Sequence, residues 1–373
     1  MDKIKRFITC NVPVAACNFR CSYCYLPQKG RAYTGKKANL PHSVEFVAKC
    51  FSKERLGGAC HLNFCAPGET LLYSEIVPLV KVLAAEGHFC SIITNGILSS
   101  RFDEIVDTCT DEEKSRLFIK FSFHWMQLKE KNLFETFVAN VNKMKNAGVS
   151  FTVEITPHDE LVPYIDEIKE FSMKNFGALP HITVARNERT KDIAFLTKYS
   201  REEYRKIWSQ FDSTLFDFKF AVFGVRRNEF CRAGELTLNL DLGSGDYCQC
   251  FCGAFLGNIY DLSKPVNFRP IGRCRLPHCF NAHGYISLGA IQKLDDSIKI
   301  PTYAEERDRL CADGSHWLQP VYREFLSHHA WENAPAIPCE EQKHRIASSG
   351  MYIFFSKIRH LPLRIKRKLF RKK

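Results

Sequence analysis

Along the first 215 residues, apolar positions alternate between two textures. Short runs rich in β-branched and aromatic residues predict strands over Phe7–Val12, His61–Cys65, Phe89–Thr94, Leu117–Phe123, Ser150–Thr156 and His181–Ala185. Between them, apolar residues recur at helical spacing over Ser43–Leu56, Tyr73–Glu86, Leu133–Ala147 and Glu160–Phe176. Pro41 precedes the first of these stretches, and Gly87, Gly148 and Gly177 close the others. Strand–helix alternation argues for an α/β fold with a parallel sheet. The expected form is a partial (β/α)6 TIM-like barrel, with its chemistry at the carboxyl ends of the strands.

From about residue 216 the pattern changes. Leu236–Leu242 alternates apolar and polar positions, Gly243 to Asp246 supplies turn chemistry, and a cysteine-bearing return strand follows. A small β-hairpin and helix domain is therefore expected over 216–300, after a core of 1–215. Residues 301–349 look like helices and loops with no chemical signature. In the last segment, 350–373, Phe354, Ile358, Leu361, Ile365 and Leu369 fall at helical spacing, interrupted by Pro362.

Charge sharpens the picture of that tail. Residues 357–373 carry nine Lys/Arg and no acid, so the rest of the chain holds only about +3 of the formal +12. A cationic amphipathic tail suits the surface of an anionic membrane; a solvated disordered tail is the alternative. No recognition module accompanies it, which argues against nucleic acid. Nothing at the N-terminus has signal-peptide length, and no stretch nears the roughly 20 apolar residues of a membrane span. The expected location is cytoplasmic, peripheral to the inner face of the membrane if the tail docks there. In that compartment, 17 cysteines point to metal rather than to disulfides. Cys10, Cys50, Cys60, Cys65, Cys90, Cys109, Cys311 and Cys339 stand alone among apolar or helical neighbours and read as small buried hydrophobes.

The other cysteines are grouped. Cys17-x3-Cys21-x2-Cys24 follows the first strand. Three thiolates suit a cubane cluster and leave one iron without a protein ligand. Zinc would need a fourth ligand, from Cys10 or a distant His. With Tyr25 next in line, this spacing resembles the signature of the radical SAM superfamily. Ala66-Pro67-Gly68-Glu69, after the second strand, resembles the family's Gly-Gly-Glu motif, with Ala and Pro where glycines are usual. Thr94-Asn95-Gly96 resembles its Thr-Asn-Gly turn, and Phe118 to Trp125 resembles the strand that carries a cofactor-proximal serine, here Ser122. The resemblance covers roughly residues 5–215. It implies a [4Fe–4S] cluster on Cys17, Cys21 and Cys24. It also implies S-adenosylmethionine (SAM) near Tyr25, Gly68, Glu69, Thr94, Asn95 and Ser122, with Glu154 a weaker candidate. The implied reaction is reductive cleavage of SAM to a 5′-deoxyadenosyl radical, fed by an external donor such as flavodoxin or ferredoxin.

Cys231-x11-Gly243-x4-Cys248, followed by Cys274 and Cys279, resembles the twitch or SPASM extension that holds auxiliary iron–sulfur clusters. SPASM needs seven cysteines and this region has six, so one auxiliary cluster fits better. The pleat of a strand would place Cys248, Cys250 and Cys252 on one face, about 6.6–6.8 Å apart per step, too spread for one compact cluster. The expected ligands are Cys231, Cys248, Cys274 and Cys279, with Cys250 or Cys252 the first substitute. Zinc with His278 or His283 is an open alternative. The substrate expected of such an oxidoreductase is a peptide or protein, or a sugar-like or lipid-linked molecule. Only 16 residues precede Cys17, which argues against a leader-guided peptide maturase. The competing class is a non-catalytic zinc- or iron–sulfur-stabilised scaffold or electron carrier, which would have no need of Gly68-Glu69 or Thr94-Asn95-Gly96.

Overall fold

Each β-branched run becomes a strand. In the computed structural model these are β1 (Arg6–Asn11), β2 (Cys60–Cys65), β3 (Phe89–Thr94), β4 (Leu117–Ser122), β5 (Ser150–Ile155) and β6 (His181–Ile182), all parallel. The structure describes residues 3–29, 33–189, 193–226, 228–274, 276, 279, 282–294, 298–338 and 340–344. His278, Cys339 and the amphipathic tail lie outside them.

Strand alternation sorts the residues onto two faces. Ile8, Leu62, Phe64, Ile92, Ile119, Phe121, Phe151 and Val153 are buried in the main apolar core. Each such side chain contributes about 1.5–3 kcal/mol through burial. The alternate positions, among them Thr9, Asn63, Lys120, Ser122 and Glu154, face an interior cavity. The sheet is thus apolar outside and polar inside, and the inside is where chemistry has room.

Three helix expectations change in detail. Ser43–Leu56 is two helices, Val44–Cys50 and Lys53–Leu56, because Ser52 accepts from the Arg55 N–H and starts a second one. The helix expected from Tyr73 begins only at Ile76, after a 3-10 turn over Thr70–Leu72 capped by Glu69. Pro163 lacks an N–H, and Asp159–Tyr164 is likewise 3-10 before the helix Ile165–Phe176.

The hairpin is built onto the core sheet rather than beside it. Thr237–Asp241 runs parallel to β1, with Phe7 opposite Thr237 and Asn11 opposite Asp241. Asp246–Cys248 and Phe255–Asn258 then extend the sheet to nine strands. Leu238 and Leu240 fix this placement by joining the same apolar core.

The segment expected to carry no chemical signature, 301–349, contributes Tyr303 and Arg307 to the cavity lining. Helices Ala282–Leu288, Tyr303–Arg307 and Pro320–Leu326 send Tyr285, Tyr303, Tyr322 and Phe325 against Phe7, Phe89 and Phe118. Phe325 stacks on Phe89 at 3.7 Å between ring centroids. Among the described residues no helix is long and apolar enough to cross a membrane.

Candidate active site

A cavity of about 770 Å³ opens at the carboxyl ends of the strands, within the range of small-molecule sites. Cys17, Cys21 and Cys24 line its mouth, in the loop that leaves β1. All three thiols are half-buried. Burial pushes each of them up, Cys21 to about 12, and each thiolate would repel its neighbours. As three thiolates they would have only Arg20 as a counter-charge in the loop, so the donor set suits a cationic iron cluster. Among the described residues no three His, Cys, Asp or Glu side chains close on a single-ion site. A cubane asks for thiolates around a larger body than one ion.

The loop after β2 locks onto this loop. A Cβ on Gly68 would lie 2.1 Å from the Ala16 carbonyl oxygen, so only glycine lets the two backbones meet here. The Glu69 N–H then donates to that same carbonyl at 2.8 Å. Ala66 and Pro67, where the resembled motif has glycines, leave this approach intact.

Glu69 itself is buried. Its Oε1 accepts from the Leu71 N–H at 2.9 Å and the Thr94 hydroxyl at 2.7 Å, and its Oε2 from the Asn95 N–H at 2.8 Å. Burial raises its pKa despite these three donors. Asn95 Nδ2 donates in turn to Asn18 Oδ1 at 2.5 Å, back in the cysteine loop. Gly96 has φ of +81°, and a Cβ there would meet Phe121 and Phe137 at 2.8 Å, so the turn after β3 also needs its glycine. Three strand-end loops thus form one hydrogen-bonded rim. Tyr25 lies on that rim, with the Arg186 guanidinium 4.0 Å from its ring centroid.

Deeper in, Ser122 and Glu154 are register partners on β4 and β5, and both line the cavity. Glu154 Oε1 pairs with Arg307 Nη1 at 2.5 Å. Burial alone would raise the Glu154 pKa, but Arg307, Lys120 and Lys219 outweigh it and hold the carboxylate below its ordinary range. Arg307, Tyr303, Lys120 and Lys219, none of them singled out from sequence, also line this space, as does His283, which the sequence offers only as a zinc ligand. Lys120 and Lys219 did carry a signal, since each is a lysine inside an aromatic run, Lys120 the lone charge of FIKFSF and Lys219 set beside Asp217 in FDFKFAV. Arg307 carried none, because its role depends on a helix folding back beneath the sheet.

The second cysteine group gathers around a smaller apolar pocket. Cys231, Cys250, Cys252, Cys274 and Cys279 line it, together with Ile271 and Tyr285. Cys248, expected among the ligands, is not in that lining. The strand ends at Cys248, with a register irregularity between Tyr247 and Cys248. Beyond it Gly253 N–H donates to the Cys250 carbonyl, so Cys250 and Cys252 sit in a turn instead of on a continuing pleat. The alternation invoked from sequence stops one residue too early to apply. Burial and the neighbouring Cys231 push the Cys250 thiol well up, and burial does the same to Cys231. His283 faces the main cavity and is absent from the smaller pocket's lining.

Residues 11–171, from the end of β1 into helix Ile165–Phe176, match the model of the Radical SAM superfamily. No curated protein matches the chain. Among solved structures, Streptococcus suis SuiB bound to S-adenosylmethionine is similar at a TM-score of 0.50 and 15% identity, over 69% of this chain and 64% of that one. The chain thus spans just under two thirds of SuiB. Native anSMEcpe with bound AdoMet gives a TM-score of 0.47 at 16% identity, over 95% of this chain and 98% of that one. BtrN in complex with AdoMet and 2-DOIA gives 0.38 at 14%, over 70% and 81%. At 15% identity the likeness to SuiB is one of fold.

Proposed function

We propose that the chain is a radical SAM enzyme, a reading that the match over residues 11–171 supports, and that Cys17, Cys21 and Cys24 hold its [4Fe–4S] cluster. In the same reading the rim of Glu69, Thr94, Asn95 and Ser122 holds SAM, and the deeper cavity holds the molecule that loses hydrogen. The chemistry supplied by the bound pair is reductive cleavage of the sulfonium to a 5′-deoxyadenosyl radical.

One observation carries this assignment. The cysteine loop and the Glu69 carboxylate are tied into a single unit through Ala16 and through Asn18–Asn95. Glu69 spends three acceptor sites on the rim and keeps lone-pair capacity for a ligand ammonium, whose charge would offset the burial that raises its pKa. The enclosing strands keep water from a reactive intermediate.

The second cysteine group fits one auxiliary iron–sulfur cluster, with Cys231, Cys250, Cys274 and Cys279 as ligands and Cys252 beside them. A small electron carrier such as flavodoxin or ferredoxin would supply the reducing electron. The substrate is a peptide or protein, or a sugar-like or lipid-linked molecule; the latter would suit peripheral membrane contact by residues 350–373.

Anaerobic reconstitution with iron and sulfide, then reduction with SAM and assay of 5′-deoxyadenosine, tests the core claim. The Cys17/Cys21/Cys24→Ala triple variant should form none yet retain iron at the second site. No 5′-deoxyadenosine from protein with an intact cluster would overturn it.

A further inference from the structure

We propose that the deep end of the main cavity seats a doubly charged phosphoryl group of the substrate, with Lys120 and Lys219 as its counter-ions. This rests on the cavity being the substrate chamber of a radical SAM enzyme.

Lys120, in the middle of β4, is only 7% exposed and faces the cavity. Its ammonium donates to the Tyr303 hydroxyl at 3.2 Å. Lys219, from helix Thr214–Val222, donates to the Thr183 hydroxyl at 2.6 Å. Among the described residues neither lysine has a carboxylate within 4.0 Å, whereas the other two cations of this space do: Arg307 has Glu154 and Arg186 has Glu188. A buried ammonium with only a neutral hydroxyl for company is held at considerable cost unless an anion arrives. Burial, then Arg186, Arg307 and Lys120, press Lys219 towards losing its proton, and Glu154 only partly opposes them.

Charge counting identifies the class of anion. Glu306 is a further carboxylate that both lysines act on, while Asp241, also in the lining, is engaged by the Gly243 and Ser244 N–H groups of its own turn; burial pushes Glu306 up to about 7, so near neutral pH it offsets only part of one lysine. SAM cannot supply the deficit, because its sulfonium and ammonium against one carboxylate make it a net cation. A single carboxylate on the substrate would still leave positive charge unmet. A phosphoryl group, with about −1.5 to −2 at pH 7, matches the excess.

The test uses the anaerobically reconstituted full chain with SAM, its unfolding temperature measured with inorganic phosphate, acetate or chloride at matched ionic strength. Phosphate should raise the midpoint above chloride while acetate does not. Lys219→Met and Lys120→Met should each abolish the rise, and Lys264→Met, whose side chain is 74% exposed, should keep it. Without phosphate, Lys219→Met should melt no lower than the parent, since an uncompensated buried charge has gone; a purely structural lysine would show the opposite. Should one lysine variant fail to fold, the other carries the test. A phosphate response equal in the parent and both cavity variants, or none in the parent, overturns the proposal. Assay of 5′-deoxyadenosine on the same preparation separates the two claims. Phosphate binding through Lys219 without any 5′-deoxyadenosine supports the anion site and removes the radical chemistry. Radical chemistry without a phosphate response does the reverse.

Discussion

Replacing Arg307 with methionine would leave Glu154 buried beside an apolar side chain. Removing one partner of a buried ion pair destabilises by about 3–5 kcal/mol, most of it the penalty of the orphaned charge. The surroundings decide where in that range each variant falls. Lys120 and Lys219 also favour the Glu154 carboxylate, so Arg307→Met should fall at the low end, about 3 kcal/mol. Glu154→Met exposes three cations to one another with only the partly protonated Glu306 as counter-ion and should fall at the high end, about 5 kcal/mol. The double variant, Glu154→Met with Arg307→Met, should recover to within about 1 kcal/mol of the Arg307→Met value or better, because an apolar pair fills similar volume without desolvated charge. Urea unfolding followed by tryptophan fluorescence reads this directly, since Trp125, Trp208 and Trp317 are all buried.

The pH dependence has a fixed sign. In the parent, the lowered Glu154 pKa contributes stability that is present above the ordinary carboxylate range and lost as pH falls through the folded-state value. In Arg307→Met that pKa moves up, the buried carboxyl protonates earlier, and the gap to the parent should narrow from pH 8 to pH 5. Single-variant losses that simply add in the double variant, or a gap that widens on acidification, would show that the pair does not govern this part of the cavity.

Three further outcomes follow from the rim and the second cysteine group. Gly68→Ala puts a Cβ 2.1 Å from the Ala16 carbonyl oxygen, so the cysteine loop must shift and iron bound per chain after reconstitution should drop by about one cluster. Glu69→Gln keeps the shape but turns an N–H towards donors that need an acceptor; SAM affinity by equilibrium dialysis should weaken at least about tenfold, roughly 1.4 kcal/mol, with iron content unchanged. Cys250→Ser should lower iron in the Cys17/Cys21/Cys24→Ala background and Cys248→Ser should not, because only Cys250 lines the smaller pocket.

Sequence legibility here tracks the range of the interactions. Strands β1 to β5 and the Gly68-Glu69 and Thr94-Asn95-Gly96 loops were readable because each is set by neighbours a few residues away: alternation, a tight backbone approach, a turn. The resemblance points to Cys248 as a ligand, and the pleat separates it from Cys250 and Cys252 only if the strand continues; the strand ends at Cys248, nothing nearby in sequence marks that end, and Cys250 lines the smaller pocket instead. The hairpin's place in the sheet and the role of Arg307 were invisible for a different reason. Thr237 pairs with Phe7 and Arg307 with Glu154, contacts that exist only once distant segments have met.

That division also explains how the site is specified. The rim nearest the cysteines is encoded in short motifs, as befits a surface that must present the same cofactor geometry whatever else the protein does. The deep wall is assembled from β4, helix Thr214–Val222 and helix Tyr303–Arg307, each contributing one cation. Lys120 and Lys219 weaken the fold in isolation, and no local motif requires a charge within either aromatic run. Their placement is accounted for by a ligand bearing the opposite charge, so the substrate is written into the part of the chain that motif reading passes over.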